Sequence, residues 1–243
     1  MTRVGVITQA RMTSTRLPGK VLLRAGGATM LQHHVNRLSR AGLDVYVATT
    51  TNETDQPIMN EAGRLGANQF RGSEKDVLSR FAGAAREFEL DVVVRVTSDC
   101  PLIDGELVQA GVKRFIEIDS ERAYVSNALD RTYPRGFDFE VFSASALYQA
   151  DERATRPFER EHVTPFLYLN QEKMMTMHSI RREIDASRYR VTLDTAVDFD
   201  VIARLLEDHN AADLTVDEII SVLDTHPSLA QLNLQVAQKT LGE

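Results

Sequence analysis

The residues best suited to chemistry stand together in Q-A-R-M-T-S-T-R-L-P-G-K at 9–20. Arg11, Arg16 and Lys20 put three fixed cations on one loop, while Ser14, Thr15 and the backbone amides around Gly19 can donate to phosphate oxygens. Such a loop suits a triphosphate; its bland alternative is a solvated basic loop closed by a Pro-Gly turn. It is not a Walker A loop, because G-x-x-x-x-G-K-[ST] is absent and Val21 follows Lys20. Two aspartates are the next candidates, Asp99 in T-S-D-C-P-L and Asp194 in V-T-L-D-T. Each follows a β-branched run, which sets its carboxylate at a strand's carboxyl end, where it can face a bound triphosphate and ligate magnesium. Magnesium is satisfied by one or two carboxylates completed by phosphate oxygens and water. Taken singly, either aspartate reads equally as a helix cap or turn former. Asp104, in P-L-I-D-G, reads as the cap of the helix that follows it.

A second group lies in the middle of the chain. Asp138 and Glu140 alternate with Phe137, Phe139 and Val141, so on a strand both carboxylates project from one face. They either bind sugar hydroxyls or line a solvent-facing strand edge. His162 alone reads as a packed or capping histidine as readily as a ligand. Cys100 adjoins Asp99 without the context of a cysteine hydrolase, and reads as a small packed residue. Met174, Met175 and Met177 read as core or interface filler.

These residues must be positioned by a fold, and the hydropathy pattern points to one. Val4-Gly5-Val6-Ile7-Thr8 predicts a buried strand feeding the basic loop, and residues 29–40 a helix closed by Gly42. A strand at 44–50, a helix carrying Ile58, Met59, Ala62 and Leu65, a short strand at 69–72, a helix at 76–88 and a strand at 91–97 follow. This alternation predicts an α/β fold with a mostly parallel central sheet flanked by helices on both faces. In such sheets ligands bind beyond the carboxyl ends of the strands, where Gln9, Thr49, Arg71 and Asp99 fall. Further on, 123–145 reads as short strands, 158–170 as a helix with Pro165 near its first turn or at a kink, 189–195 as a strand, and 196–208 and 216–224 as helices. We expect one domain: a nucleotide-binding core at 1–120, a substrate lobe at 121–188, and a return strand with C-terminal helices at 189–243.

Composition removes several classes of function. The chain has 243 residues, 43% hydrophobic and 26% charged, which suits an ordinary globular core. A single cysteine excludes an intramolecular disulfide and a multi-cysteine zinc site. The N-terminus lacks the apolar stretch of a signal peptide, and no run approaches the roughly 18 residues of a membrane span, so a cytoplasmic protein without membrane attachment is expected. A net charge of −7 argues against nucleic acid as a partner.

The segment A-R-M-T-S-T-R-L-P-G-K-V-L at 10–22 resembles the signature of the sugar-acid cytidylyltransferases, a group that includes CMP-ketodeoxyoctonate synthetase and, more distantly, CMP-sialate synthetase. It is most similar to the branch called spore-coat polysaccharide biosynthesis protein F. Counterparts of V-A-T-T-T-N at 47–52, R-G-S-E-K-D-V-L-S-R at 71–80, V-R-V-T-S-D-C-P-L-I-D at 94–104, Y-V-S-N at 124–127, R-T-Y-P-R-G-F-D-F-E-V-F at 131–142, R-E-H-V-T-P at 160–165 and V-T-L-D-T at 191–195 carry it over residues 3 to 205. The resemblance implies a GT-A-like Rossmann-type fold of the nucleotide-diphospho-sugar transferases and a homodimer. It implies transfer of CMP from CTP to the hydroxyl of an acidic sugar for surface polysaccharide or glycan biosynthesis, with release of pyrophosphate. Asp99 and Asp194 match the family's magnesium ligands, and Arg11, Lys20 and Asp99 are the expected catalytic residues. Gln9, Ala10, Ser14, Arg16, Arg71, Gly72, Ser73 and Thr97 are expected to hold the nucleotide with Arg11 and Lys20. Asn127, Arg135, Gly136, Asp138, Glu140, Glu161 and His162 are expected on the acceptor side, with Arg135 facing a sugar carboxylate. A nucleotide-sugar-dependent glycosyltransferase of the same fold is the rival enzyme reading, weakened by the R-L-P-G-K loop, which suits a triphosphate better than a diphosphate sugar. A non-catalytic nucleotide-binding module is the other rival, weakened by retention of both aspartates.

Overall fold

Strands buried on both faces need apolar side chains at nearly every position, and three segments of this chain supply them. They are V-G-V-I-T-Q, V-Y-V-A-T-T and V-V-V-R-V-T, and in a computed structural model describing residues 2–171 and 173–237 they lie side by side in one parallel array. In chain order the elements are β1 (Val4–Gln9), the hairpin strands β2 (Arg24–Ala25) and β3 (Ala28–Thr29), α1 (Met30–Arg40), β4 (Val45–Thr50) and α2 (Gln56–Arg64). Next come β5 (Asn68–Gly72), α3 (Val77–Glu87), β6 (Val92–Thr97), α4 (Gly105–Ile118), β7 (Ala123–Ser126), β8 (Glu140–Ser143) and α5 (Ala144–Arg153). The chain continues through α6 (Pro157–His162), α7 (Pro165–Leu169), β9 (Thr176–Ser179), α8 (Ala196–Asp208), α9 (Val216–Thr225) and α10 (Pro227–Gln231).

The main sheet has seven strands in the order β5-β4-β1-β6-β8-β7-β9. β5, β4, β1 and β6 are parallel, β8 runs antiparallel to β6 and β7, and β9 pairs parallel with β7. Alternation along each strand sorts the core into layers. Val6, Val47, Val94 and Val96 pack with α1, α2 and α4, whereas Ile7, Ala48 and Val93 pack with α3 and α5. A third cluster joins α8 and α9 to Tyr133, Phe137, Val191 and Leu193. Local signals agree with these boundaries. The Thr29 hydroxyl accepts from Gln32 N at 3.0 Å to start α1, and Asp104 Oδ1 accepts from Glu106 N at 2.9 Å to start α4.

Several segments differ from the sequence expectation. The 189–195 stretch is extended but makes only an isolated parallel bridge, Arg190 to Arg135, because it crosses the loop before β8 instead of joining the sheet. The helix expected at 158–170 is two helices broken at Val163, whose φ is 72°. Pro165 cannot supply the amide that would continue α6 and instead starts α7. Within 123–145 only β7 and β8 are strands, separated by an irregular loop at 127–139. Helix α5 and the edge strand β9 have no counterpart in the hydropathy reading. Among the described residues no helix is long and apolar enough to cross a membrane.

The buried Arg37 guanidinium ties the layers together. It donates to Ile103 O at 2.6 Å, Ala211 O and Ala212 O at 2.9 Å, and Leu214 O at 2.7 Å, linking α1 to the turn after β6 and to the α8–α9 connection. Replacing it by methionine strands these carbonyls, and we expect Arg37→Met to lower unfolding stability by about 3 kcal/mol, read as a fall in the urea midpoint. An unchanged midpoint would contradict that role.

Candidate active site

From β1 the chain moves outward through β4 and β5 and then returns to place β6 on the opposite side of β1. The strand order therefore reverses between β1 and β6, the position at which open parallel sheets form a ligand crevice beyond the strand ends. Here that crevice is a cavity of about 1080 Å³. Of the residues singled out in the sequence, Gln9, Ala10, Arg11, Ser14, Arg16, Lys20, Thr97, Asp99, Arg135, Asp138, Glu140, Glu161, His162 and Asp194 all line it.

The basic loop is shaped by a few fixed contacts. Met12 N donates to the buried Asp55 Oδ1 at 2.7 Å, Thr13 Oγ1 donates to Glu74 Oε1 at 2.9 Å, and Gly19 N donates back to Met12 O at 3.0 Å. Gly19 has a φ of 67°, a left-handed conformation that glycine adopts without strain, and it turns the chain into a short 3-10 turn at Lys20–Leu22. That turn aims Lys20 inward. Its Nζ donates to Asp99 Oδ2 at 3.0 Å, Asp194 Oδ1 at 2.9 Å and Leu193 O at 2.7 Å. Burial alone would lower the ammonium's pKa, but the two carboxylates outweigh it and raise it above the ordinary lysine value. Asp99 shifts downward for the reciprocal reason: burial disfavours its charge, yet Lys20 and the Thr97 hydroxyl stabilise it more. The Cys100 thiol beside it is pushed well up by burial and by Asp99, and so stays protonated as a packing group.

Asp194 is held from behind. Arg190 Nη2 donates to its Oδ2 at 2.7 Å, and Arg16 Nη2 lies 3.1 Å from the same oxygen, leaving Oδ1 to Lys20. Arg190 Nε in turn donates to Asp198 Oδ1 at 3.0 Å, and Asn233 Nδ2 donates to that oxygen at 2.9 Å and to Arg190 O at 3.1 Å. Asp198 also closes a capping box with Thr195 at the start of α8. Among the described residues no group of three or more His, Cys, Asp or Glu forms a metal cage. Asp99 and Asp194 nevertheless fit magnesium's needs, since their carboxylates already converge on one cation and the cleft has room for phosphate and water to complete the shell.

The nucleotide end differs from the sequence expectation. Arg71, Gly72 and Ser73 do not line the cavity. Arg71 turns away, donating to Thr50 O at 2.9 Å and Asn52 O at 2.7 Å, because the pleat of β5 points its side chain at the β4–α2 connection. Arg80, on α3, takes a place in the cavity wall. It is buried, donates to Ser73 O at 2.7 Å, has an unpartnered Nε, and burial together with Arg11 depresses its pKa to about 10. The buried Oε1 of Gln9 is likewise unpartnered. Sequence reasoning passes over Arg80 because it lies within an otherwise apolar helix face; a lone arginine among Val77, Leu78, Phe81 and Ala84 was the available signal.

The far end of the cavity is rich in arginine. Glu140 pairs with Arg95 and accepts from Tyr124 Oη at 2.6 Å and Thr164 Oγ1 at 2.8 Å, so both of its oxygens are engaged. Asp138 is paired with Arg131. Arg135 has no side-chain partner among the described residues, and burial with the neighbouring Arg131 depresses its pKa. Glu161 and His162 lie at this end, and burial lowers the imidazole's pKa, which favours its neutral form. Asn127 and Gly136 do not line the cavity and have packing roles. Asn127 exchanges hydrogen bonds with Phe137 O at 2.8 Å and Phe139 N at 3.0 Å. Gly136, at φ 107°, lets Val191 approach so closely that an added Cβ would lie 2.7 Å from its carbonyl carbon.

Known proteins resemble this chain in both sequence and fold. The sequence profile described as Cytidylyltransferase matches residues 5–241. The spore coat polysaccharide biosynthesis protein SpsF of Bacillus subtilis is 31% identical over 234 residues, covering 92% of this chain and 95% of that protein. A 3-deoxy-manno-octulosonate cytidylyltransferase of Solibacter usitatus is 38% identical over 112 residues, only 45% of this chain and 43% of that protein. A solved cytidylyltransferase of Leptospira borgpetersenii superposes with a TM-score of 0.91 at 33% identity, covering 99% of this chain and all of that one.

The network behind Asp194 generates a pH signature. Burial alone would raise the Asp198 carboxyl, but the hydrogen bonds from Arg190, Asn233 and Thr195 hold it below the usual carboxylate range. A group with a lowered folded-state pKa contributes stability above its unfolded value, about 3.9, and that contribution is lost as pH falls through the folded value. We expect Asp198→Asn to destabilise the protein by about 2 kcal/mol at pH 7, with the gap to the parent chain narrowing below about pH 4. Urea titrations at the two pH values measure it, and a gap that widens on acidification would contradict the assignment.

Proposed function

The chain belongs to the cytidylyltransferase family, and on that premise we propose that it transfers CMP from CTP to the hydroxyl of an acidic sugar, serving surface polysaccharide or glycan biosynthesis. The observation that carries this reading is the convergence of the basic loop, Asp99 and Asp194 on one cation position, at the mouth of a cleft whose far end is lined by arginine. Arg11, Ser14, Arg16 and Lys20 hold the triphosphate, while Gln9, Thr97 and Arg80 take the base. Arg80 stands here in place of Arg71, since Arg80 lines the cleft and Arg71 does not. Arg135, a guanidinium without a side-chain partner among the described residues, takes the acceptor's carboxylate, with Arg131 and Arg95 held by Asp138 and Glu140 as its flanks.

With both substrates in place the acceptor hydroxyl attacks the α-phosphorus in line and gives its proton to solvent, the bond between the α-phosphorus and the bridging oxygen breaks, and pyrophosphate leaves. The chain's contribution is alignment of the reactants and neutralisation of the growing phosphate charge by Arg11 and Lys20. Asp99 and Asp194 would hold magnesium, which neutralises phosphate charge and lowers the pKa of the attacking hydroxyl.

Pyrophosphate release tests the reaction. With each of the four nucleoside triphosphates, magnesium and a panel of acidic sugars, we expect acceptor-dependent release with CTP. Failure to bind any triphosphate would overturn the reading. Asp99→Asn is expected to lower turnover by about a thousandfold while circular dichroism stays unchanged. Arg135→Ala is expected to raise the KM for the acceptor by about ten- to a hundredfold with the KM for CTP unaffected, and a change confined to CTP would contradict its placement.

A further inference from the structure

All three protons of the Lys20 ammonium are directed at protein acceptors: Asp99 Oδ2 at 3.0 Å, Asp194 Oδ1 at 2.9 Å and Leu193 O at 2.7 Å. In that arrangement none is left for a phosphate oxygen. Nor is the carboxylate pair open to another cation, because the ammonium stands where both carboxylates converge. The turn carrying Lys20 is pinned by its backbone, with Gly19 N donating to Met12 O at 3.0 Å and Leu22 N to Gly19 O at 2.9 Å. The ammonium therefore changes partners by rotation of its own side chain. The consequences for the two aspartates differ. Asp194 keeps Arg190 and Arg16 on Oδ2 when Lys20 departs, whereas Lys20 is the sole ion-pair partner of Asp99 among the described residues. A buried carboxylate stripped of its counter-ion is costly, so departure of Lys20 is favourable only if another cation replaces it.

We infer that Lys20 is a tethered counter-ion that fills the metal position of the free protein until a triphosphate draws it away, so that nucleotide and divalent cation enter the site together. This rests on the proposed role of Asp99 and Asp194 as metal ligands. It gives Lys20 two successive partners, the carboxylates in the free protein and the phosphates in the complex. The same exchange makes the free protein a poor metal binder despite its two convergent carboxylates, and it makes metal affinity depend on the nucleotide by the reciprocity that governs coupled binding.

Manganese(II) binding to the full chain without nucleotide, followed by electron paramagnetic resonance, tests the inference. Lys20→Met is expected to bind manganese about tenfold or more tightly than the parent chain, because it both vacates the position and removes the competing charge. Arg16→Met removes one positive charge from the same carboxylate without vacating the position, and is expected to change affinity by less than about threefold. Lys20→Arg, which keeps a cation between the carboxylates, is expected to remain as weak as the parent. Should the methionine variant fail to fold, Lys20→Gln serves in the same titration. No gain on neutralising Lys20, or an equal gain from Arg16→Met, would overturn the inference. Its failure is separable from that of the proposed reaction. A parent chain that releases pyrophosphate from CTP while Lys20→Met binds manganese no better keeps the reaction and loses the counter-ion. The reverse pair of results keeps the counter-ion and loses the reaction.

Discussion

One ammonium between two carboxylates joins three distant parts of the chain. Lys20 ends the first loop, Asp99 follows β6, and Asp194 precedes α8; the separations from Lys20 are 79 and 174 residues. None of these segments is regular secondary structure of any length, so none is held in place by its own ladder of hydrogen bonds. Their convergence is enforced by the sheet beneath, which brings β1 and β6 into direct register and so sets the two loops side by side. The charges then match: an unpaired buried carboxylate or ammonium is costly in a half-dry cleft, and here each offsets the other.

The third segment needs more support, because it comes from outside the sheet. The 189–195 stretch crosses the loop before β8 through a single backbone bridge at Arg135, and Gly136 makes room for it. Arg190 then serves both sides of the crossing, gripping Asp194 on one oxygen and Asp198 at the head of α8. Asn233 adds a clasp from beyond α10. The same crossing puts Arg135, which has no side-chain partner among the described residues, next in space to the segment that carries Asp194. The loop that carries Arg135 and the segment that carries Asp194 thus pack directly on one another.

Much of this was legible in the sequence where local pattern and tertiary role coincide. Buried parallel strands demand β-branched runs, so β1, β4 and β6 stand out. The basic loop stands out because no core could accommodate its three cations. Legibility fails where a side chain's direction depends on partners that the sequence does not show. Arg71 and Arg80 are both arginines near the end of β5, and both donate to backbone carbonyls, yet only Arg80, carried by α3, lines the cleft. Glu140 reads as a free carboxylate until Arg95, Tyr124 and Thr164 are seen to engage it. Asn127 and Gly136 read as pocket residues, but they hold the pocket's walls. The strand expected at 189–195 has the right residues and lacks a sheet edge to join.

The proposed chemistry depends on the identity of the cation position between Asp99 and Asp194. Crystals of the protein grown with CTP and manganese, examined by anomalous scattering at the metal's absorption edge, locate it directly. We predict an anomalous peak bonded to both carboxylates, with the triphosphate against the 9–20 loop and the Lys20 ammonium moved onto it. Manganese bound elsewhere, with Lys20 still bridging the two aspartates beside a bound CTP, would contradict the account.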